Sequence, residues 1–170
     1  MVGLGAVALL LTWDRELVEL SELRLEDGRY FENTGDLAFS GRAVEYYSDG
    51  SLKSQSDFKE GKQHGWSLGF YLNGQMQVRE GFRMGVSHGV RTKWFENGTK
   101  RSEGRIAEGR FEGTFRRWSE NGQLLSELSL EAGVPHGLSR SWYAGGGLKL
   151  EVRMERGEEI SRKEFKDEAL

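Results

Sequence analysis

Glycine recurs in this chain at a fixed interval of 24 residues, and a chain with such a period builds its fold from copies of one small unit. Gly41, Gly65, Gly89, Gly113 and Gly137 form one column. Gly50, Gly74, Gly98, Gly122 and Gly146 form a second, and Gly61, Gly85, Gly109, Gly133 and Gly157 a third. Together they define five units over residues 41–160. With each unit numbered from its first glycine, position 6 is always aromatic: Tyr46, Phe70, Trp94, Trp118 and Trp142. Position 7 holds Tyr47, Tyr71, Phe95, Ser119 and Tyr143, and position 12 holds Leu52, Met76, Lys100, Leu124 and Leu148. Position 18 is apolar in every unit, and position 24 reads His64, His88, Glu112, His136 and Ile160.

One unit reads as a β-hairpin. Asp49-Gly50, Asn73-Gly74, Asn97-Gly98 and Asn121-Gly122 lie between strand-like runs, and such pairs tolerate the positive φ that a tight turn requires. A helix is excluded, because each of several glycines per unit would cost it about 1 kcal/mol relative to alanine. In the return strand, positions 12, 14, 16 and 18 are the more apolar set and positions 13, 15 and 17 the more charged, so the former are expected on one face. For the ring at position 6 to join them, the turn must connect positions of equal parity. A type I turn followed by a glycine bulge does so; a two-residue type I′ turn does not. The expected fold is therefore all-β: an elongated, single-layer antiparallel sheet of tandem 24-residue hairpins, with terminal caps because isolated hairpins are marginal.

The flanks supply cap candidates. Residues 23–40 contain Asp27-Gly28, Tyr30-Phe31 and Gly35 and read as a degenerate hairpin. Residues 161–170 are charged, with Ser161 and Glu164 at capping-box spacing, and predict a short helix. Within residues 1–22, the stretch 1–12 is apolar and too short to span a bilayer as a helix. It resembles the apolar core of a secretory signal peptide without the basic start or cleavage motif. Two readings stay open, an export-signal remnant that contacts membrane and a short buried terminal segment; the first tilts the compartment toward the cell envelope or export.

The aromatic pair, Asn-Gly turn and Gly-x-x-His-Gly connection resemble the MORN-type repeat. The stretches EYYSDGSLKS with FKEGKQHG, FYLNGQMQVREGF with MGVSHG, and KWFENGTKRSEG are similar in particular to the variant repeats of the bacterial YwqK family. The lead-in Phe39-Ser40-Gly41 is similar to that family's Phe-Thr-Gly-like opening. The resemblance covers residues 23–160 and departs from the pattern at Glu112, Ser119 and Gly145-Gly146-Gly147. It implies a ribbon that contacts protein, of the antitoxin-like kind, often exported or lipid-anchored, and implies no catalytic residues.

The residues themselves favour binding over chemistry. A net charge of −3 argues against a nucleic-acid partner, and the absence of cysteine removes thiolate metal sites and cysteine nucleophiles. Successive position-24 histidines would lie about 9.6 Å apart, too far to share one zinc, so no metal or other cofactor is expected. Carboxylates such as Glu103, Glu108, Glu112 and Glu127 have no cleft in which to act as paired acid and base, which leaves a wall-glycan hydrolase as a remote third reading. The position-6 rings are expected to be the structural stripe. Tyr47, Tyr71, Phe95 and Tyr143, pointing the other way with less apolar company, are the candidates for touching a protein partner. The open end strands are a second route to association, between two copies of the chain. The expected function is a non-catalytic interaction scaffold, with an envelope or membrane-surface module as the alternative.

Overall fold

The computed structural model describes residues 17–167, so residues 1–12 and the membrane contact expected of them lie outside the described residues. In chain order the elements are β1 (Leu17–Glu19), a single 3-10 turn (Leu20–Glu22), β2 (Leu23–Glu26), β3 (Arg29–Glu32), β4 (Arg42–Tyr46), β5 (Leu52–Lys59), β6 (Lys62–Phe70) and β7 (Met76–Arg83). There follow β8 (Val86–Ser87), β9 (Gly89–Trp94), β10 (Lys100–Ala107), β11 (Arg110–Trp118), β12 (Leu124–Glu131), β13 (Val134–Pro135), β14 (Gly137–Trp142), β15 (Leu148–Glu155) and β16 (Glu158–Glu164). Apart from the β2–β3 hairpin, all strands belong to one sheet, ordered β1-β4-β5-β6-β7-β9-β10-β11-β12-β14-β15-β16, with β8 and β13 as stubs on β7 and β12. Eleven steps of about 4.8 Å make a ribbon roughly 50 Å long. The tandem hairpins are those that the glycine period predicts.

The first turn of each unit is the bulged type. Gly50, Gly74, Gly98, Gly122 and Gly146 have φ between 81° and 90°. The Tyr47 carbonyl accepts from the Gly50 amide at 3.0 Å, and the Tyr47 amide donates to Ser51 at 2.8 Å, a pattern repeated in every unit. Position 6 then pairs with position 12, as in Trp94↔Lys100 and Trp118↔Leu124.

One step further along the return strand the alternation is broken. Trp94↔Lys100 is followed by Lys93↔Ser102, and the same skip occurs in all five hairpins. Position 13 (Lys53, Gln77, Arg101, Leu125, Lys149) is an unpaired bulge, which reverses the alternation beyond it. Positions 14, 16 and 18 therefore share a face with position 7, not with the rings. We call the two surfaces the ring face (positions 6, 12, 4 and 15) and the tyrosine face (positions 7, 14, 16, 18, 3 and 5). Position-1 glycines mark a second irregularity: Gly65, Gly89, Gly113 and Gly137 have positive φ, and the register slips beside them, as between Glu103↔Arg116 and Arg105↔Glu112.

The connection between units is a two-residue turn of type I′ character. Glu60, Met84, Glu108, Ala132 and Arg156 each have φ of 49–51° and precede a glycine with positive φ. Left-handed φ at non-glycine residues carries a penalty, and the neighbouring unit offsets it. The Gly61, Gly85, Gly109, Gly133 and Gly157 amides donate to Phe39, Gln63, Ser87, Phe111 and Pro135 of the preceding unit at 2.8–3.0 Å.

Both ends depart from expectation. The sheet is not wholly antiparallel, because β1 pairs with β4 in parallel register. At the other end, residues 161–164 are not a helix: they complete β16, a half-unit antiparallel to β15. The inward donors and acceptors of β15 require a partner strand, and this outweighs the weak helical preference of so short a charged segment. The hairpin β2–β3 lies beside the N-terminal end of the ribbon, where Leu23, Phe39, Ala43 and Phe58 form the main apolar core, joined by Val18, Leu20 and Tyr30. Tyr30 and Phe39 ring centroids lie 4.9 and 5.8 Å from that of Phe58. Gly61 permits this contact, because a Cβ there would sit 2.8 Å from the Tyr30 carbonyl oxygen.

Candidate functional site

The position-6 rings lie on one face, as the sequence predicts, but none is fully buried: Tyr46 is exposed, and Phe70, Trp94, Trp118 and Trp142 are half-buried. Their company is in part polar. The Lys100 ammonium sits 5.3 Å from the Trp118 ring centroid, a cation held against the π face by the neighbouring unit. Positions 4 and 15 next to this stripe carry cross-strand pairs. Arg116 binds Glu127 at 2.7 Å and Arg140 binds Glu151 at 2.7 Å. Glu103 instead binds Lys100 at 2.8 Å and accepts from Thr92 at 3.4 Å.

The carboxylates do not converge. Glu103 and Glu127 are held in these pairs, Glu108 sits in a turn, and Glu112 accepts the Ala132 amide at 2.8 Å. That last bond explains the column to which Glu112 belongs. At four of the five turns the amide at position 20, exposed by the tight turn, is bound by the side chain that stands at position 24 before it. His64 Nδ1 accepts from Met84 and His136 Nδ1 from Arg156, both at 3.4 Å, while Ser40 Oγ accepts from Glu60 at 2.8 Å. Glutamate replaces histidine at residue 112 because either offers an acceptor of the needed reach. No group of three or more metal-ligating side chains forms among the described residues.

The position-7 residues do point away from the rings, but their surroundings differ from expectation. With positions 14, 16 and 18 on the same face, Tyr47, Tyr71, Phe95 and Tyr143 are half-buried. Three hydroxyls are engaged with the following unit: Tyr47 donates to the Phe70 carbonyl at 2.7 Å, Tyr71 to Trp94 at 2.8 Å and Tyr143 to Phe165 at 2.9 Å. Phe165 thus takes the place of a sixth position-6 ring, one residue early in register. Beside these bonds, Asn73 and Asn97 amides donate to the Glu96 and Glu120 carbonyls at 3.0 Å. Asp49 cannot donate in this way; its carboxyl is held below the usual range by the Ser51 hydroxyl and then the Ser51 amide. Ser119 lacks the phenol, and there the Gln123 amide reaches the Tyr143 carbonyl at 2.7 Å. These staples were not legible in the sequence, although the recurrence of tyrosine and asparagine with the glycine period was their signal.

The tyrosine face also holds a recess that sequence reasoning missed, lined by Phe115, Leu128, Leu150 and Val152 together with Arg117, Ser126, Glu127, Ser139, Arg140 and Ser141. Upstream, Gly104 is covered by Phe111 and Phe115, whose centroids are 4.9 Å apart.

Among known proteins, the family described as MORN repeat variant matches residues 40–60 and 111–131. A search of curated proteins finds no match. The two matched segments are each an aromatic strand, bulged turn and return strand of the hairpin described above. The chain therefore carries MORN-variant repeats at these two places within its five-unit sheet.

Proposed function

We propose that this protein is a non-catalytic protein-interaction scaffold, of the antitoxin- or immunity-like kind suggested by its likeness to the YwqK family. The observation that supports this most is the thinness of the ribbon beyond its N-terminal end. From β6 to β16 the strands form one sheet, and the tightly buried apolar cluster lies elsewhere, around Phe39 and Phe58. Both faces are thus offered to a partner, while Glu103 and Glu127 are held in ion pairs and Glu112, His64 and His136 bind backbone of the following unit. The test is affinity capture with the full chain from its native cell extract, followed by binding of the purified partner. A single protein held at micromolar concentration or tighter supports the reading, and the absence of any specific protein partner overturns it.

A second reading, an envelope or membrane-surface module, draws on the apolar stretch 1–12. Vesicle flotation with and without those residues separates the two. Binding that survives the deletion assigns lipid contact to the repeats, and no binding by either form removes this reading.

A further inference from the structure

The charges of this acidic chain are not evenly divided between the two faces. On the tyrosine face from β9 to β15, the paired positions include Arg91, Lys93 and Arg117 and no carboxylate at all. Arg91 is satisfied by Glu80 of β7 at 2.7 Å. Two of the unpaired bulge residues add cations on the same side, Arg101 lying 5.6 Å from the Phe95 ring centroid and Lys149 lying 5.4 Å from that of Tyr143. Lys93, Arg101, Arg117 and Lys149 are all exposed. The glutamates of these strands, Glu103, Glu112, Glu127, Glu131, Glu151 and Glu155, alternate onto the ring face. A chain of net charge −3 thus presents, over three units, one surface on which four exposed cations have no ion-pair partner among the described residues, beside a largely apolar recess.

The register sets out the order of these groups. One row runs across the strands as Lys93, Ser102, Arg117, Ser126, Ser141 and Leu150. Neighbours in it are about 4.8 Å apart, so Lys93 and Arg117 are separated by about 9.6 Å. An extended segment in the polyproline II conformation rises about 3.1 Å per residue with three residues per turn, so carboxylates three residues apart point to one side about 9.3 Å apart and match that separation. The row then passes into the recess of Phe115, Leu128, Leu150 and Val152. From Lys93 to Leu150 it runs about 24 Å, room for roughly eight residues of such a segment, and the next residue in the row is the exposed Glu164 of β16.

We propose that the tyrosine face of units three to five binds an acidic, partly apolar extended segment of a partner protein, laid across the strands with its carboxylates on Lys93 and Arg117 and its apolar side chains in the recess beyond. This rests on the interaction-scaffold reading and names the partner chemistry and the face. An anionic membrane is the less fitting occupant. Arg101 and Lys149 lie against rings on the sheet instead of reaching outward, and the exposed Glu96 and Glu120 stand at the turn rim, where a flat anionic surface would meet them.

The test uses the full chain and a labelled nine-residue peptide with glutamates at its first and fourth positions and a leucine at its seventh, all on one side of a polyproline II segment. A glutamine version and phosphatidylserine vesicles serve as comparison probes. Lys93 and Arg117 are exposed, so K93E/R117E leaves the fold intact; circular dichroism verifies this. The double variant is expected to weaken the peptide about tenfold or more, because two attractive contacts become repulsive. The Leu128→Ser change is expected to weaken it independently, and R105E/R153E on the ring face to leave it unchanged. Equal binding of the glutamine peptide, equal loss in R105E/R153E, or charge-dependent binding of vesicles without the peptide would each overturn the proposal. Using wild type and K93E/R117E as baits in the native extract separates the two levels of the reading. A specific partner held equally by both overturns this face and leaves the scaffold function standing; a partner held by neither removes both.

Discussion

At the scale of the residue, the tyrosines of position 7 show how a repeat array is held together without a deep core. Each phenol that is present spans to the following unit, and Tyr71 Oη donates to the Trp94 carbonyl at 2.8 Å. Tyr71→Phe keeps the ring and deletes only this bond. It is expected to lower stability by about 1 kcal/mol, the net worth of a hydrogen bond plus the cost of leaving a half-buried carbonyl unpaired. Urea denaturation reads this directly as a shift in midpoint at constant slope. Phe95 is the built-in comparison: Phe95→Tyr restores the missing donor opposite Trp118, and a gain in stability is the expected outcome. If both substitutions leave the midpoint unmoved, the phenols are not staples and their hydroxyls are free for a partner. The tyrosines were legible in the sequence as a column pointing away from the rings. Their hydrogen bonds were not, because the acceptor of each is 22 or 23 residues away on a strand whose register had to be known first.

The element of most interest is the turn between units. Asparagine and glycine favour φ near 50°, yet the residues found there are Glu60, Met84, Glu108, Ala132 and Arg156. Ala132 makes the contrast clearest, since it has no side chain able to bond its own backbone. Its conformation is supported from outside, by the Glu112 carboxylate on its amide and the Phe111 carbonyl on the Gly133 amide. Ala132→Asn relieves the left-handed strain while retaining that amide and is expected to raise stability by about 1 kcal/mol. A fall in melting temperature would mean the turn is shaped by packing that asparagine disturbs. This turn also marks the limit of what a single unit's sequence discloses. The bulged turn at Asn-Gly was readable, because its residues specify its backbone. The connection was readable as a turn but not as type I′, because its backbone is specified by the preceding unit. The bulge at position 13 was hidden for a similar reason: Lys53, Gln77, Arg101, Leu125 and Lys149 have nothing in common that forces an unpaired residue. Missing it reversed the faces of positions 14 to 18 and so concealed the basic, apolar surface of units three to five.

Across the whole molecule, stability is unevenly supplied. In a ribbon where each unit touches only its neighbours, cooperativity is passed along the array and the two ends set its limits. The N-terminal end is anchored by Phe39, only 1% exposed and packed on Phe58, with Leu23 and Ala43 completing the cluster. The C-terminal end is the opposite case: every residue of β16 is exposed, and its charges, Glu158, Glu159, Arg162, Lys163 and Glu164, blunt the edge against pairing with a second copy. Amide exchange should therefore be slowest in β4–β6 and quicken toward β15 and β16, since opening from the far end breaks hydrogen bonds but exposes little apolar surface. Phe39→Ala should cost about 3–5 kcal/mol, the range for emptying a buried aromatic site. Its signature distinguishes an anchor from a local plug. As an anchor, Phe39 holds the β2–β3 hairpin against the Gly61 turn, and its loss should speed exchange through β4–β7 as well as at the N-terminal end. As a local plug, the variant would free only β2, β3 and the segment around Ala38, leaving protection in β6 and β7 as it was. Exchange followed by mass spectrometry on the full chain resolves the two, and protection confined to the original pattern beyond β5 would show that the repeats support themselves without the cap.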